Sequence, residues 1–262
     1  MSVALLSSTR AKVNRAEKHF RDLSTEVSAY LDKHPYRIVC DMDSDPPKKL
    51  YRFFFNETIP CEWGAMIGDV VHNLRASLDN LATALVVLNG CTSNGVLRKT
   101  YFPIGSSKTY FDEKLPDDLK GASAQARSLV ECMKPYKGGT DAFWQIHQLD
   151  ILDKHSSLIP AGVGLSHFTM RLNIGGRDYP PLTLPVKDRM FPLKDGDVVG
   201  AWDPGTDKEG KFKSDIDFTL NVAFGEGQII DGEPVIPTLK QLIDFISGTI
   251  DIFDRNLFGA CP

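Results

Sequence analysis

Apolar positions recur every three or four residues in several stretches of the first 160 residues, whereas they alternate with polar positions after Gly164. The first spacing is typical of one face of a helix, and the second is typical of a half-buried strand. Capping and breaking residues mark the ends of five predicted helices, which run over 8–33, 62–88, 123–133, 140–158 and 238–253.

The strand-like segments fall in two places along the chain. Runs at 36–42 and 50–55 flank a turn-forming segment, and together they predict a β-hairpin between the first two helices. Runs at 168–174 and 216–224 alternate strictly between apolar and polar residues. Such alternation predicts antiparallel strands with one face buried.

The order of these elements predicts an α+β fold, with an N-terminal helical bundle, a β-hairpin insertion, a C-terminal antiparallel sheet and a closing helix. Residues 91–122 have no clear period, and we expect them to form mainly loop. A chain of 262 residues is near the upper size of one domain. We therefore expect a single compact unit over 1–262, in which 1–164 is mainly helical bundle and 165–262 is sheet plus C-terminal helix.

Composition narrows the function classes only slightly. Lys and Arg number 30 against 34 Asp and Glu, so the net charge is −4. This balance argues against a generally basic nucleic-acid scaffold but allows a local basic site. No apolar run reaches the roughly 20 residues of a membrane span, and the first residues do not form a signal peptide. The five cysteines include no Cys-x-x-Cys pair and are interpreted as reduced thiols. We expect a cytoplasmic protein with no membrane partner.

The second predicted helix carries a polar group beside its apolar stripe. His72, Arg75 and Asp79 are spaced i, i+3 and i+7, which brings them to one sector of the helix. Gly68 and Ala82 share this sector, and such small residues permit the close approach of another backbone or a ligand. Without a functional role, Arg75 and Asp79 would form an i, i+4 ion pair at the edge of the core, which would stabilise the helix by roughly 0.3 kcal/mol.

The fourth predicted helix has apolar residues almost all around its axis, which is typical of a buried helix. One narrow polar stripe nevertheless contains His147, Asp150, Lys154 and Ser157, whereas Asp153 and His155 project elsewhere. Burying a charge is unfavourable unless it is paired and hydrogen-bonded. We therefore expect this stripe to face the polar group of the second helix.

The two helices are expected to pack side by side, with Arg75 and Asp79 facing Asp150 and Lys154. At least one hydrogen bond or salt bridge of about 3 Å should join the two groups. Such a cluster is either a structural network or a functional site, and the sequence leaves both open. A metal site built from its histidines and carboxylates is less favoured, because the Arg and Lys side chains would put positive charge beside the cation. We expect no metal and no cofactor.

Two segments of the middle third resemble a pair that recurs in a family of uncharacterised bacterial proteins. They cover 68–81 and 149–155, and their patterns are GDVVHNLRxxLDxL and LDxxDKH. More loosely, Arg75 in a polar helix resembles the Arg-x4–6-His signature of HEPN helical bundles. Those bundles are often dimeric, metal-independent ribonucleases of toxin and phage-defence systems.

The HEPN resemblance implies RNA as the partner and a homodimer as the assembly. It implies that Arg75 steadies the phosphate and that a histidine assists proton transfer around the attacking 2′-hydroxyl. Residues 80–82, where that histidine would stand, are Asn, Leu and Ala. The replacement would have to be His72, His147 or His155.

The leading hypothesis is an HEPN-like bundle protein that binds, and is able to cleave, RNA without a metal. The alternative is a non-catalytic binding or scaffold protein whose polar cluster is structural, and a metal-dependent hydrolase ranks third. The catalytic candidates are Arg75, His72 and His147, and the binding candidates are Asp79, Asp150, Lys154 and His155.

Overall fold

A computed structural model describes residues 5–44, 47–155, 161–174, 176–202, 212–225, 229–230 and 232–259. In chain order its helices are α1 (Ser7–Asp32), α2 (Glu62–Leu88), α3 (Asn94–Leu97), α4 (Lys108–Asp118), α5 (Ala124–Met133), α6 (Asp141–His155) and α7 (Val235–Phe253), and a π-helical turn (Asp254–Phe258) follows. Its strands are β1 (Tyr36–Ser44), β2 (Pro47–Phe55), β3 (Ala161–Ile174), β4 (Arg177–Asp178), β5 (Leu182–Met190), β6 (Val198–Trp202) and β7 (Phe212–Phe224). The predicted α+β class is confirmed.

The five predicted helices are present, and α2 has the predicted ends. The end predicted for the fourth helix, at 158, lies outside the described residues. The expectation of mainly loop over 91–122 is wrong, because α4 lies there. Ser107 caps α4 by accepting a hydrogen bond from the Tyr110 amide, and the helix contains Pro116, which is usually a helix breaker.

The strands form two antiparallel sheets. β1 and β2 make the predicted hairpin, and β6 pairs with the other edge of β2. β3 pairs with β7 along most of its length, and β4 and β5 pair with its other edge. The two alternating runs of the sequence are therefore antiparallel strands, as predicted, and they pair with each other, with Phe168 opposite Phe218.

The chain divides into two compact units. The first contains 1–23, 62–159 and 236–262, and the second contains 24–61 and 160–235. The closing helix thus belongs with the N-terminal helices, and the hairpin belongs with the later strands, which differs from the expected division at 164. That the whole chain behaves as one compact unit stays a prediction.

The first unit is built around the apolar stripe of α2, whose larger side chains are almost completely buried. Phe143 of α6 stacks on Phe102 with ring centroids 5.5 Å apart, and it meets Phe245 of α7 edge-on at 4.7 Å. These contacts fix the chain segment around Phe102 beside α2 and α6. The second unit has its own apolar cluster, which includes Phe53, Val163, Leu165, Leu193, Val199 and Leu220.

Two further expectations can be compared with the described part of the chain. Within it, no helix combines the length and apolar character needed to cross a bilayer. Cys40, Cys61, Cys91 and Cys132 are free thiols, whereas Cys261 lies outside the described residues.

Helix capping gives the first testable prediction. The Ser123 hydroxyl accepts a hydrogen bond from the Ala126 amide at the start of α5. Ser123→Ala should lower the free energy of unfolding by about 1 kcal/mol, measured by urea denaturation, because that amide loses its partner. Ser93 precedes α3 but makes no capping bond, so Ser93→Ala is the control. Equal losses in the two variants would contradict the capping role.

Candidate functional site

The polar groups of α2 and α6 meet, as the sequence predicts. His72 Nδ1 lies 2.9 Å from Asp150 Oδ1, and Arg75 Nε donates to His147 Nδ1 over 3.4 Å. The contact between the helices is therefore confirmed, but its pairs differ from those expected. Arg75 binds Asp79 on its own helix, and Asp150 binds His72 and Lys154. The direction in which each side chain leaves its helix decides these pairs.

Arg75 is the centre of a buried half of the cluster. Its side chain is only 9% exposed, and its Nη1 donates to Asp79 Oδ1 over 2.7 Å. Its Nη2 donates to the Phe102 carbonyl over 3.1 Å, while Nε is directed to His147. Each nitrogen of the guanidinium thus has a partner, as a buried arginine requires.

Asp79 connects this half to the chain segment that follows α3. Its Oδ1 accepts from both Arg75 and the Phe102 amide, the latter over 2.9 Å. Burial raises the pKa of Asp79, although Arg75 and the Phe102 amide oppose the shift. Side chain and backbone therefore close a ring of hydrogen bonds that includes both polar atoms of the Phe102 main chain.

His147 is held neutral inside this half. Burial is the main cause that lowers its pKa to about 4, and the positive charge of Arg75 acts in the same direction. Because the arginine donates to Nδ1, the ring proton of the neutral form belongs on Nε2. A neutral ring at pH 7 cannot donate a proton as an imidazolium would, so His147 is poorly suited to general-acid chemistry there.

Asp150 is the centre of a second, more accessible half. Its carboxylate is 4% exposed, but its two oxygens contact side chains that are about half exposed, His72 at 45% and Lys154 at 48%. Lys154 Nζ donates to Oδ2 over 2.6 Å, and His72 occupies Oδ1. A buried carboxylate that holds a half-exposed imidazole is the arrangement by which many enzymes orient a general base.

The sequence interpretation missed several residues around this half. Asp153, expected to project elsewhere, lies against Gly68 of α2, so closely that a side chain at 68 would overlap its carboxylate. Burial, and then the nearby Asp150 and Asp69, raise the pKa of Asp153. From α1, Lys12 donates to Asn73 over 3.4 Å. The close approach expected at Gly68 is the signal that could have indicated Asp153.

The remaining candidates can be stated briefly. His155 is the last residue of α6, and its side chain lies outside the described part of the structure. Among the described residues, no group of three or more His, Cys, Asp or Glu side chains is arranged to hold a metal ion. The interpretation as a metal-dependent hydrolase therefore gains no support from the geometry.

Comparison with known proteins does not extend this description. No protein-family model, no curated protein and no solved structure matches the chain significantly.

The buried half predicts a stability effect at Arg75. Arg75→Ala removes the partner of Asp79 and of the Phe102 carbonyl, and it should lower the free energy of unfolding by about 3 kcal/mol. Arg15→Ala is the control, because Arg15 lies on the exposed side of α1. Urea denaturation measures both. A loss below 1 kcal/mol in Arg75→Ala would contradict the buried, paired state.

His147 predicts a pH effect of known sign. Its pKa is 6.5 in an ordinary setting and about 4 in the folded protein, so its stabilising contribution is complete above pH 6.5. That contribution is lost as the pH falls from 6.5 to 4, and it amounts to about 2 kcal/mol after allowance for partial exposure. The wild type should therefore lose about 2 kcal/mol more than His147→Gln over this interval, in unfolding experiments at several pH values.

The control for this experiment is His167→Gln, because His167 is exposed on β3. That variant should keep the pH dependence of the wild type. If His147→Gln also keeps it, the histidine is not held neutral.

Proposed function

We propose that this is a cytosolic, HEPN-like helical-bundle protein that binds RNA and cleaves it without a metal, with His72 as the proton-transfer residue. The observation that carries the proposal is the contact of His72 Nδ1 with Asp150 Oδ1, 2.9 Å long. It joins a buried carboxylate to an imidazole that solvent can reach. RNA as the substrate, and a homodimer as the assembly, come from the HEPN resemblance.

The chemistry follows from the orientation of the imidazole. When Nδ1 carries the ring proton and donates it in a hydrogen bond to Asp150, the lone pair of the neutral ring is on Nε2, and no hydrogen bond to Nε2 is found among the described residues. In the proposed reaction Nε2 takes the proton of a 2′-hydroxyl, and the 2′-oxygen forms a bond to the adjacent phosphorus. The bond from phosphorus to the 5′-oxygen breaks, that oxygen takes up a proton from water, and the imidazolium of His72 returns its proton to the solvent. The products are a 2′,3′-cyclic phosphate and a 5′-hydroxyl.

Asp150 and the nearby cations supply the electrostatic part of the proposal. A carboxylate beside the ring stabilises the imidazolium that forms when Nε2 takes up the proton. Lys154 lies on the same carboxylate and is half exposed, so its ammonium group is able to turn to a phosphate. Lys12 of α1 donates to the side chain of Asn73, the residue that follows His72 in α2, and is the second cation of the proposal.

The role of Arg75 in this proposal differs from the role that the resemblance implies. Its guanidinium nitrogens already bind Asp79, Phe102 and His147. We propose that it holds the cluster together, and that the lysines steady the phosphate.

The alternative is a non-catalytic binding or scaffold protein whose polar cluster is structural. The specific observation that favours it is the same pairing of Arg75, because a fully paired and buried arginine is what a structural network requires. Under this alternative the protein binds its partner with no cleavage, and changes at His72 alter stability alone.

The decisive experiment compares RNA cleavage by the wild type, His72→Asn and His167→Asn. The substrate is a fluorescently labelled single-stranded RNA in buffer that contains EDTA. The asparagine amide can still donate to Asp150 from near the position of Nδ1, but it cannot transfer a proton. We expect His72→Asn to fold normally and to cleave about 100-fold to 10,000-fold more slowly, the usual contribution of a general base.

His167→Asn should cleave at the wild-type rate, because His167 is exposed on β3. A 2′,3′-cyclic phosphate on the product should be detected by mass spectrometry. Binding of RNA by the wild type without any cleavage would favour the non-catalytic alternative. The absence of both RNA binding and RNA cleavage would contradict the RNA proposal. Equal cleavage by the wild type and His72→Asn would exclude His72 as the proton-transfer residue.

A further inference from the structure

A cavity of about 510 Å³ lies in the first unit, between the turn that follows α3 and the turn that follows α4. Its size is within the range of small-molecule sites, roughly 300–1,000 Å³. The charged and aromatic side chains that line it are Arg98, Lys99, Lys120, Asp117, Asp118 and Tyr101. None of them is a candidate residue of the cluster around Asp150.

The backbone gives this cavity a defined wall. The Tyr101 amide donates to the Asp118 carbonyl over 3.2 Å, which ties the segment after α3 to the end of α4. The next residue, Phe102, is held through both its amide and its carbonyl by Asp79 and Arg75. The backbone of Tyr101 is therefore held by its own hydrogen bond and by those of the adjacent Phe102, although the residue is 51% exposed.

The lining combines three kinds of chemistry. Arg98, Lys99 and Lys120 are cations that bind phosphate oxygens. The ring of Tyr101 is an accessible surface on which a planar base can stack. The carboxylates of Asp117 and Asp118 accept hydrogen bonds from hydroxyl or amino groups.

Asp118 is the half-buried charged member of this lining, whereas Arg98, Lys99, Asp117 and Lys120 are exposed. Burial raises the pKa of the Asp118 carboxyl, although Lys114 and Arg75 oppose the shift. A carboxyl in such a position forms stronger hydrogen bonds than one in open solvent.

We propose that this cavity binds a nucleotide, with the base stacked on Tyr101, the phosphate bound by Arg98, Lys99 and Lys120, and a sugar hydroxyl or base amino group bound by Asp117 or Asp118. The nucleotide is either free or the 5′-phosphorylated end of an RNA strand, since both present the same base and phosphate. This inference does not depend on RNA cleavage at His72.

Binding is tested by isothermal titration calorimetry on the full chain with two probes, adenosine 5′-monophosphate (AMP) and a 5′-phosphorylated tetraribonucleotide. Adenosine is the probe without a phosphate. We expect AMP to bind at least 10-fold more tightly than adenosine, and its affinity to fall as salt is added. If only the tetranucleotide binds, the proposal is supported, and the natural ligand is the 5′-phosphorylated end of an RNA strand.

Two sets of variants distinguish the contribution of the Tyr101 ring to affinity from that of the positive charges. Tyr101→Ala should weaken binding about 10-fold, whereas Tyr101→Phe, which keeps the ring, should bind like the wild type. Lys99→Gln and Lys120→Gln should each weaken AMP binding but leave adenosine binding unchanged. Tyr110→Ala is the matched control, because Tyr110 is an exposed tyrosine on α4 that does not line the cavity.

Two results would overturn the proposal. One is the absence of binding by both phosphorylated probes at millimolar concentration. The other is binding that Tyr101→Ala and the two lysine variants leave unchanged, because the nucleotide would then occupy another place.

Cations at the ends of helices also interact favourably with the helix dipole, so a change in stability alone would not distinguish ligand binding from helix stabilisation. The test therefore measures ligand affinity.

Discussion

The cluster depends on the burial of one carboxylate, that of Asp150. Taking a negative charge out of water costs several kcal/mol unless cations and hydrogen-bond donors surround it. Here Lys154 and His72 contact one oxygen each, and His72 comes from the neighbouring helix. α2 and α6 therefore pack with their polar stripes facing each other, because any other rotation of α6 would leave the buried charge of Asp150 without its partner from α2.

The same two helices place two histidines in opposite electrostatic settings. His147 is beside a cation, and burial together with Arg75 lowers its pKa to about 4. His72 is beside an anion, and solvent reaches its ring. Burial beside an arginine keeps the imidazole of His147 neutral, whereas the hydrogen bond to Asp150 orients the ring of His72. One half of the cluster is thus buried and fully paired, and the other half presents a half-exposed imidazole held by a buried carboxylate.

Helical spacing was enough to predict α2 and the meeting of its polar group with that of α6, because both depend on which residues share a face. The partners within the cluster could not be predicted, since they depend on side-chain directions and on the shift of one helix along the other. Asp153 was missed because it lies about 120° around the axis from His147, outside the sector assigned to His147, Asp150 and Lys154. The hydrogen bonds of the Phe102 backbone correspond to no recognisable sequence pattern. α4 was missed because it contains Pro116, and a proline normally argues against a helix.

The most direct test of this account is the tautomer of each histidine, read from the ring-nitrogen chemical shifts of the ¹⁵N-labelled protein by NMR. In its neutral form His72 should carry its proton on Nδ1, because it donates to Asp150, and His147 should carry its proton on Nε2, because Arg75 donates to Nδ1. Asp150→Asn should change the signals of His72 and leave the tautomer of His147 as it is. A proton on Nε2 of neutral His72 in the wild type would contradict the claim that Asp150 orients that ring.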